Sequence, residues 1–153
     1  MNVENINPFI QAAQSVLKTL CNADIQLGKV YVKEPPYKAG QLIIVFGVVG
    51  KIRGQVCFEL SQETAKGIAS AMMGGMPVAE LDDISKSAVS EMGNMIMGNT
   101  GILFAQKDVQ IDITPPSLIS AENIEISNRQ QTIAIPLTVE GYGIIAINVA
   151  IEA

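Results

Sequence analysis

The chain has 153 residues, of which 48% are apolar and 16% charged, and its formal net charge is −5 at pH 7. This length is typical of a single domain (1–153) with a sizeable core, and the composition excludes a disordered chain. An acidic chain with few clustered Lys or Arg residues is a poor match for nucleic acid, and no apolar run approaches the roughly 18 residues of a membrane span.

Residues that usually carry covalent or metal chemistry are scarce. Histidine is absent, which excludes His-based triads, His general bases and the commonest zinc ligand. Cys21 and Cys57 lie far apart in apolar settings without a CxxC motif, so we expect buried free thiols in a reducing compartment. The first residues contain no basic segment typical of a signal peptide. We therefore expect a cytoplasmic protein.

The first predicted elements are a helix and a strand. Residues 6–21 have helical spacing, with Asn7 as N-cap and Pro8 at the first helical position. The stretch "GKVYVKEPP" (28–36) predicts a strand that two prolines stop.

A hairpin and a short helix follow. "QLIIVFGVVG" and "KIRGQVCFEL" predict two strands that turn near Gly50. Alternate residues of the second strand should point inward, namely Val56, Phe58 and Leu60. Ser61 then caps a helix over 62–73. In the connector after it, Met73 and Met76 flank two glycines. Because flexible methionine side chains suit adaptable docking surfaces, this pattern indicates a partner contact there.

The second half begins with a long helix that opens at Asp83 or Ser85 and reaches about Phe104. The strand "VQIDITPP", a short apolar piece at 117–126, and the strands "QTIAIPLTVEG" and "YGIIAINVAIE" come next. The last strand has a long apolar run and little charge, so it is either an edge that pairs with a neighbour or a central strand.

The order of elements repeats. Residues 6–60 and 84–151 each run helix, strand, a Pro-Pro pair and a hairpin, and the spans from Ile6 to Pro36 and from Ile84 to Pro116 differ by two residues. The alternative explanation is that the two halves are unrelated and only follow the same local sequence rules for helices and turns. A duplicated unit predicts an α+β fold, with about six mostly antiparallel strands in one sheet around a pseudo-twofold axis and two long helices behind it.

One side of the 84–104 helix carries polar side chains and glycines. At about 100° per residue this side holds Ser87, Glu91, Asn94, Gly98 and Gly101. The opposite side should face the core through Ala88, Val89, Met92, Met95, Ile96 and Leu103. Because glycine costs a helix roughly 1 kcal/mol relative to alanine, the bare backbone on the polar side predicts a partner lying close against it. A solvated face with incidental glycines is the alternative.

The segment "SAVSEMGNMIMGN", with prolines 21 and 22 residues beyond Asn94, resembles the signature of the CheC/CheX chemotaxis phosphatases, D/S-x3-E-x2-N followed by a proline about 22 residues later. The internal repeat also resembles that family's fold. CheC-type members carry the motif on both repeat helices. In this chain the counterparts of Glu91 and Asn94 fall near Gln11 to Ala13 and Gln14 to Val16, which supply no acid and amide in register. The chain therefore looks more like CheX.

The resemblance implies hydrolysis of the phosphoaspartate on a CheY-like response regulator. Asn94 would orient the attacking water, Glu91 would dock on the receiver's active-site Lys, and Ser87 would add a supporting contact. Gly98 and Gly101 would admit the receiver surface. The receiver would supply Mg²⁺, so the chain would need no metal or cofactor of its own. The resemblance also implies a homodimer formed by sheet continuation.

Two other kinds of protein fit the pattern less well. A non-catalytic binding module, such as the related middle domain of the flagellar switch protein FliM, would bind partners without hydrolysing anything. A structural protein that only dimerises through its sheet is the third hypothesis. The acid and amide at Glu91 and Asn94 favour the enzyme.

Overall fold

The computed structural model describes residues 3–152, and this part of the chain is built from three α-helices and ten strands. A single 3₁₀ turn, Val3–Asn5, precedes the first helix. The helices are α1 (Asn7–Cys21), α2 (Gln62–Met72) and α3 (Asp83–Ala105). The strands are β1 (Ile25–Leu27), β2 (Tyr31–Lys33), β3 (Tyr37–Ala39), β4 (Leu42–Gly50), β5 (Arg53–Leu60), β6 (Ile111–Ile113), β7 (Ser117–Ser120), β8 (Ile124–Ile126), β9 (Thr132–Val139) and β10 (Gly143–Glu152).

Eight of these strands form one antiparallel sheet. The order is β1, β9, β10, β5, β4, β6, with β2 also paired to β9 and β7 also paired to β4. The remaining strands, β3 and β8, form a separate two-stranded ribbon. The predicted α+β class is confirmed, whereas the predicted count of about six strands is too low. The additional strands β1, β3, β7 and β8 have only three or four residues, which is too short for a period-2 pattern. β2 and β6 are equally short, but a Pro-Pro pair follows each of them and marks where the strand ends.

Each half of the chain adds short strands to the hairpin of the other half. At the centre of the sheet β5 pairs with β10, so that Cys57 lies opposite Asn148. The short strands β1 and β2 of the first half extend the second hairpin, and β6 and β7 extend the first. A duplicated unit around a pseudo-twofold axis would produce this order, although duplication itself stays a prediction.

The last strand is central. β10 lies between β9 and β5 and hydrogen-bonds to both, so the alternative of an edge strand is wrong. A strand with both edges paired has no free backbone groups to offer a second copy. Sheet continuation through this strand is therefore excluded.

The main core lies between the helices and one face of the sheet. The inward residues predicted for β5, Val56, Phe58 and Leu60, are all buried, which confirms that prediction. Phe9 of α1 meets Phe104 of α3 edge-on, with ring centroids 5.8 Å apart. The alternation of strand residues sends every second side chain to the opposite face.

That opposite face carries a buried ion pair near the β3–β8 ribbon. The ammonium of Lys33 lies 2.6 Å from Glu59 Oε1, and both side chains are mostly buried. The backbone N–H of Gly40, just after β3, donates to the other oxygen of Glu59 at 2.9 Å. Lys33 also lies 4.7 Å from the centre of the Tyr37 ring. These contacts join β2, β5 and the β3 end of the ribbon.

The starts of α2 and α3 agree with the predictions. α3 begins at Asp83, one of the two predicted starts, and Asp82 is its N-cap. The Asp82 carboxylate accepts from Ser85 N at 2.9 Å and from Ser85 Oγ at 2.7 Å. The backbone N–H and then the hydroxyl of Ser85 lower the pKa of Asp82. Ser61 caps α2 as predicted.

At α1 the helix begins at Asn7 itself, with Ile6 at the cap position and no side-chain cap bond. The carbonyl of Ile6 already accepts from the N–H groups of Phe9 and Ile10, which moves the boundary one residue earlier than predicted. None of the helices within residues 3–152 combines the length and hydropathy that a membrane-spanning helix requires.

Candidate active site

The polar side of α3 faces away from the core. Ser87, Glu91, Asn94 and Gly98 are all exposed, and we call these four residues the site face. Each follows the previous one by three or four residues, so they form a row along the helix. The structure thus brings the predicted acid, amide and hydroxyl together on one surface.

The buried side of α3 matches the prediction at most positions. Val89, Met92 and Ile96 are fully buried, and Ala88 and Leu103 are half-buried. Met95 was expected in the core but is 39% exposed. It lies at the boundary of the two sides, where the hydrophobicity of a flexible side chain does not decide its direction.

The three glycines of α3 have different surroundings. A Cβ added at Gly98 would meet nothing within 4 Å, so the helix backbone is bare there. Gly101 is half-buried, and a Cβ would lie 3.6 Å from Ile113 Cδ1 of β6. The expectation of bare backbone is therefore right at Gly98 and wrong at Gly101, whose partner contact stays a prediction.

Gly93 lies on the core side of α3, where the helical period places it, and its close packing against the sheet explains the glycine. A Cβ at this position would lie 3.1 Å from two ring carbons of Phe46, which is itself fully buried on β4. The missing side chain thus lets α3 approach the sheet closely.

The site face borders an open groove between α3 and β7. Its volume is about 670 Å³, and its walls include Glu91 and Asn94 on one side and Pro116 and Leu118 on the other. Pro116 is one of the two prolines that follow Asn94 at about the distance of the sequence signature, and the fold places it in the wall of the same groove as the acid and the amide. The structure therefore gives the distant proline a position at the site.

Sequence reasoning missed several residues of this groove. Lys86 and Ser90 of α3 and Leu118 and Ser120 of β7 also line it. The helix periodicity places Lys86 and Ser90 beside the polar row, but only the packing of β7 against α3 shows that this flank is concave. The β7 residues belong to the short apolar piece predicted at 117–126, but nothing in the sequence indicates that this piece packs against α3.

The key side chains are available to an incoming molecule. Within residues 3–152, no ion pair or hydrogen bond occupies the side chain of Glu91 or Asn94. The helical rise places the two Cα atoms roughly 5 Å apart along the axis. Glu91 can accept hydrogen bonds, and Asn94 can both donate and accept them without adding charge.

Neither thiol is suited to nucleophilic chemistry. Cys21 and Cys57 are buried free cysteines, as predicted. Burial raises the pKa of Cys57 to about 11, and it also raises the pKa of Cys21. A thiol rather than a reactive thiolate is therefore expected at neutral pH. The residues described include no group of three or more Cys, Asp or Glu side chains arranged to hold a metal ion.

The first helix offers no second copy of the arrangement. Gln11 and Ser15 of α1 line a smaller groove, of about 320 Å³, together with Asn99 and Ile102 of α3. None of the residues lining it is acidic. An acid and an amide side by side are therefore found on α3 and not on the surface of α1.

Comparisons with known proteins agree with this geometry. The model of the family "Chemotaxis phosphatase CheX" matches residues 42–139, which include the whole of α3 and both prolines. The CheY-P phosphatase CheX of Thermotoga maritima is 29% identical over 139 residues, covering 91% of this chain and 90% of that protein.

Solved structures give the same result. A CheC-like superfamily protein from Shewanella sp. PV-4 has a TM-score of 0.88 at 28% identity, with both chains covered completely. The CheX–CheY–BeF3–Mg²⁺ complex from Borrelia burgdorferi contains a chain with a TM-score of 0.82 at 30% identity, with 99% of this chain and 100% of that chain covered. On these matches, the protein belongs to the chemotaxis phosphatase CheX family.

Proposed function

We propose that this protein accelerates hydrolysis of the phosphoaspartate of a CheY-like response regulator. The observation that carries the proposal is the exposed pair Glu91 and Asn94, which have no hydrogen-bond or ion-pair partner within residues 3–152 and border an open groove in a chain of the CheX family. The Thermotoga relative is a CheY-P phosphatase, and the Borrelia relative forms a complex with CheY, BeF3 and Mg²⁺. Both support a receiver domain as the substrate.

The chemistry needs few groups from this chain. Water attacks the phosphorus of the acyl phosphate, the P–O bond to the aspartyl carboxylate breaks, and the products are aspartate and inorganic phosphate. Positioning and electrostatics supply most of the acceleration in such transfers. A catalyst that places one water in line with the leaving oxygen is therefore sufficient.

Asn94 is the residue suited to orient the water. Its carboxamide can accept a hydrogen bond from water and carries no charge. A carboxylate in the same place would put a second negative charge close to the phosphoryl group and oppose the attack. The exposure of Asn94 on the outer side of a rigid helix lets it enter a partner's site.

Glu91 is the residue suited to dock the helix. One turn before Asn94, its carboxylate can pair with the ammonium of the receiver's active-site Lys and fix the register of α3. Ser87, one turn further, adds a hydroxyl contact. In this arrangement the receiver supplies Mg²⁺, and the active site is complete only when the receiver is bound to this chain.

Decay of a phosphorylated receiver tests the proposal. Receivers from the same organism are phosphorylated with a small phosphodonor, and phosphate loss is followed with and without this protein. We expect faster loss that depends on Mg²⁺ and is strongly reduced by Asn94→Ala. A protein that binds the receiver without changing its decay is instead a non-catalytic module, and one that neither binds nor hydrolyses has a structural role.

Four further parts belong to the proposal. We expect a cytoplasmic protein, no cofactor of its own, no nucleic-acid or membrane partner, and a homodimer. Since β10 is paired on both sides, a dimer formed by sheet continuation has to use the short edge strands, β1 and β2 or β6 and β7.

A further inference from the structure

Two isoleucines are exposed on α3, one at each end of the site face. Ile84 is 68% exposed and Ile102 is 58% exposed. They are 18 residues apart, which corresponds to five helical turns and roughly 27 Å. At about 100° per residue, both point within about 60° of the direction of Ser87. Both therefore lie on the same side of the helix as Glu91 and Asn94.

The apolar surface widens at the start of α3. Beside Ile84 lies a cleft of about 520 Å³ that is also lined by apolar side chains of the connector, Met73, Met76, Pro77 and Val78, together with the polar residues Glu80, Asp82 and Ser85. Met76 is itself 59% exposed. The methionines of the connector, for which the sequence indicated a partner contact, thus lie near one end of the site face.

The position of these residues distinguishes them from ordinary exposed side chains. Single apolar residues on a surface are common. Here, however, any globular partner that presents a group to Glu91 and Asn94 also covers the flanking turns. A standard interface buries about 800 Å² on each partner, which is more than the three polar side chains and one bare glycine can supply. The contact has to extend along α3.

The dimensions suit a single small domain. A domain of about 100 residues has a radius of gyration of about 13 Å, which for a compact sphere corresponds to a diameter of about 34 Å. Its face is therefore wide enough to span the distance between the two isoleucines. A receiver domain centred on Asn94 would reach both of them.

We propose that Ile84 and Ile102 are docking contacts that hold the receiver through apolar side chains on either side of its phosphorylation site. This inference rests on the proposed function and adds the surface that confers affinity. Neither isoleucine reaches the reacting atoms, so both act on complex formation and not on the chemical step.

Kinetics of three serine variants test the inference. Ile84→Ser and Ile102→Ser are compared with Ile144→Ser, a control with 57% exposure on β10. Ile144 alternates with the core residues Ile145 and Ile147 and so lies on the sheet face opposite the helices. For each variant, the concentration of phosphorylated receiver that gives half-maximal phosphate release is measured, together with receiver affinity by titration.

We expect a rise of about tenfold in KM and Kd for each α3 variant, because serine removes apolar surface that an exposed isoleucine would bury against the receiver. Turnover at saturation should be unchanged. The double variant should lose about a hundredfold, since the two sites are too distant to couple. Ile144→Ser should behave like the unmodified protein.

The outcomes separate this inference from the proposed function. An active protein whose KM is unchanged in both α3 variants overturns the docking role alone. A protein that binds the receiver through both isoleucines without hydrolysis overturns the phosphatase activity alone. If Ile84→Ser and Ile102→Ser dissociate a dimer while KM stays constant, the surface contacts a second copy and the inference is wrong.

Discussion

Glu91 and Asn94 occupy equivalent surroundings but have different chemistry. Both side chains are exposed on the same side of α3. One carries a charge that can pair with a cation, and the other a neutral amide that can hold water. A docking residue makes its contact already in the complex, whereas a catalytic residue makes a contact that becomes stronger in the transition state.

Truncation of these two side chains should therefore change the kinetic constants in different ways. We expect Asn94→Ala to lower kcat by about a hundredfold with little change in KM, in the range seen when one positioned polar group is lost. Glu91→Ala should raise KM as well, because the proposed ion pair between α3 and the receiver's Lys is lost. Steady-state kinetics on a phosphorylated receiver measure both effects.

Thermal unfolding is the control for these variants. Exposed side chains without internal partners contribute little, so each free energy of unfolding should change by less than about 0.5 kcal/mol. A clear loss of stability in both variants would mean that the pair supports the fold and does not serve a partner.

At the scale of the helix, α3 combines a packed side with a bare one. Gly93 and Gly98 represent these sides: a methyl group would press on Phe46 at the first and enter open space at the second. The same substitution thus has opposite expected effects five residues apart.

We expect Gly98→Ala to stabilise the isolated protein by a few tenths to about 1 kcal/mol, because alanine is the better helix former. It should also weaken receiver binding, since the methyl group stands where the partner approaches. Gly93→Ala, the matched control, should destabilise by about 1–3 kcal/mol through crowding of Phe46. Chemical denaturation and receiver titration check both. Unaltered phosphatase activity in Gly98→Ala would contradict the close approach.

At the scale of the whole molecule, the ion pair of Lys33 and Glu59 connects segments that are distant in sequence. Lys33 lies on β2 at the sheet edge, and Glu59 lies on the central strand β5 and accepts from Gly40 next to the ribbon. Because both side chains are mostly buried, each charge depends on its partner.

Removing one partner should be costly. We expect Lys33→Met to destabilise the fold by about 3 kcal/mol, because a buried carboxylate is left without its cation. Lys66→Met is the matched control: its pair with Glu63 lies on the surface, where Glu63 is 86% exposed, and should cost less than about 0.5 kcal/mol. Urea unfolding at neutral pH gives both values. Equal effects in the two variants would show that the Lys33 pair is not structurally important.

Local signals in the sequence were sufficient for the larger elements. The helical period of 84–104, the Ser61 cap and the alternation of Val56, Phe58 and Leu60 predicted elements that the structure confirms. The same period placed Glu91 and Asn94 on one exposed side. These predictions succeed because backbone geometry alone relates residues that are two, three or four positions apart.

Only the tertiary structure decided the remaining features. It made β10 a central strand, turned Met95 outward, placed Gly101 against Ile113 and brought Pro116 beside Asn94. By itself, the sequence determined which residues share a face of an element and that one face of α3 is polar. It did not determine what each face meets, because contacts between distant strands and helices depend on the packing of the whole chain and leave no local period to read.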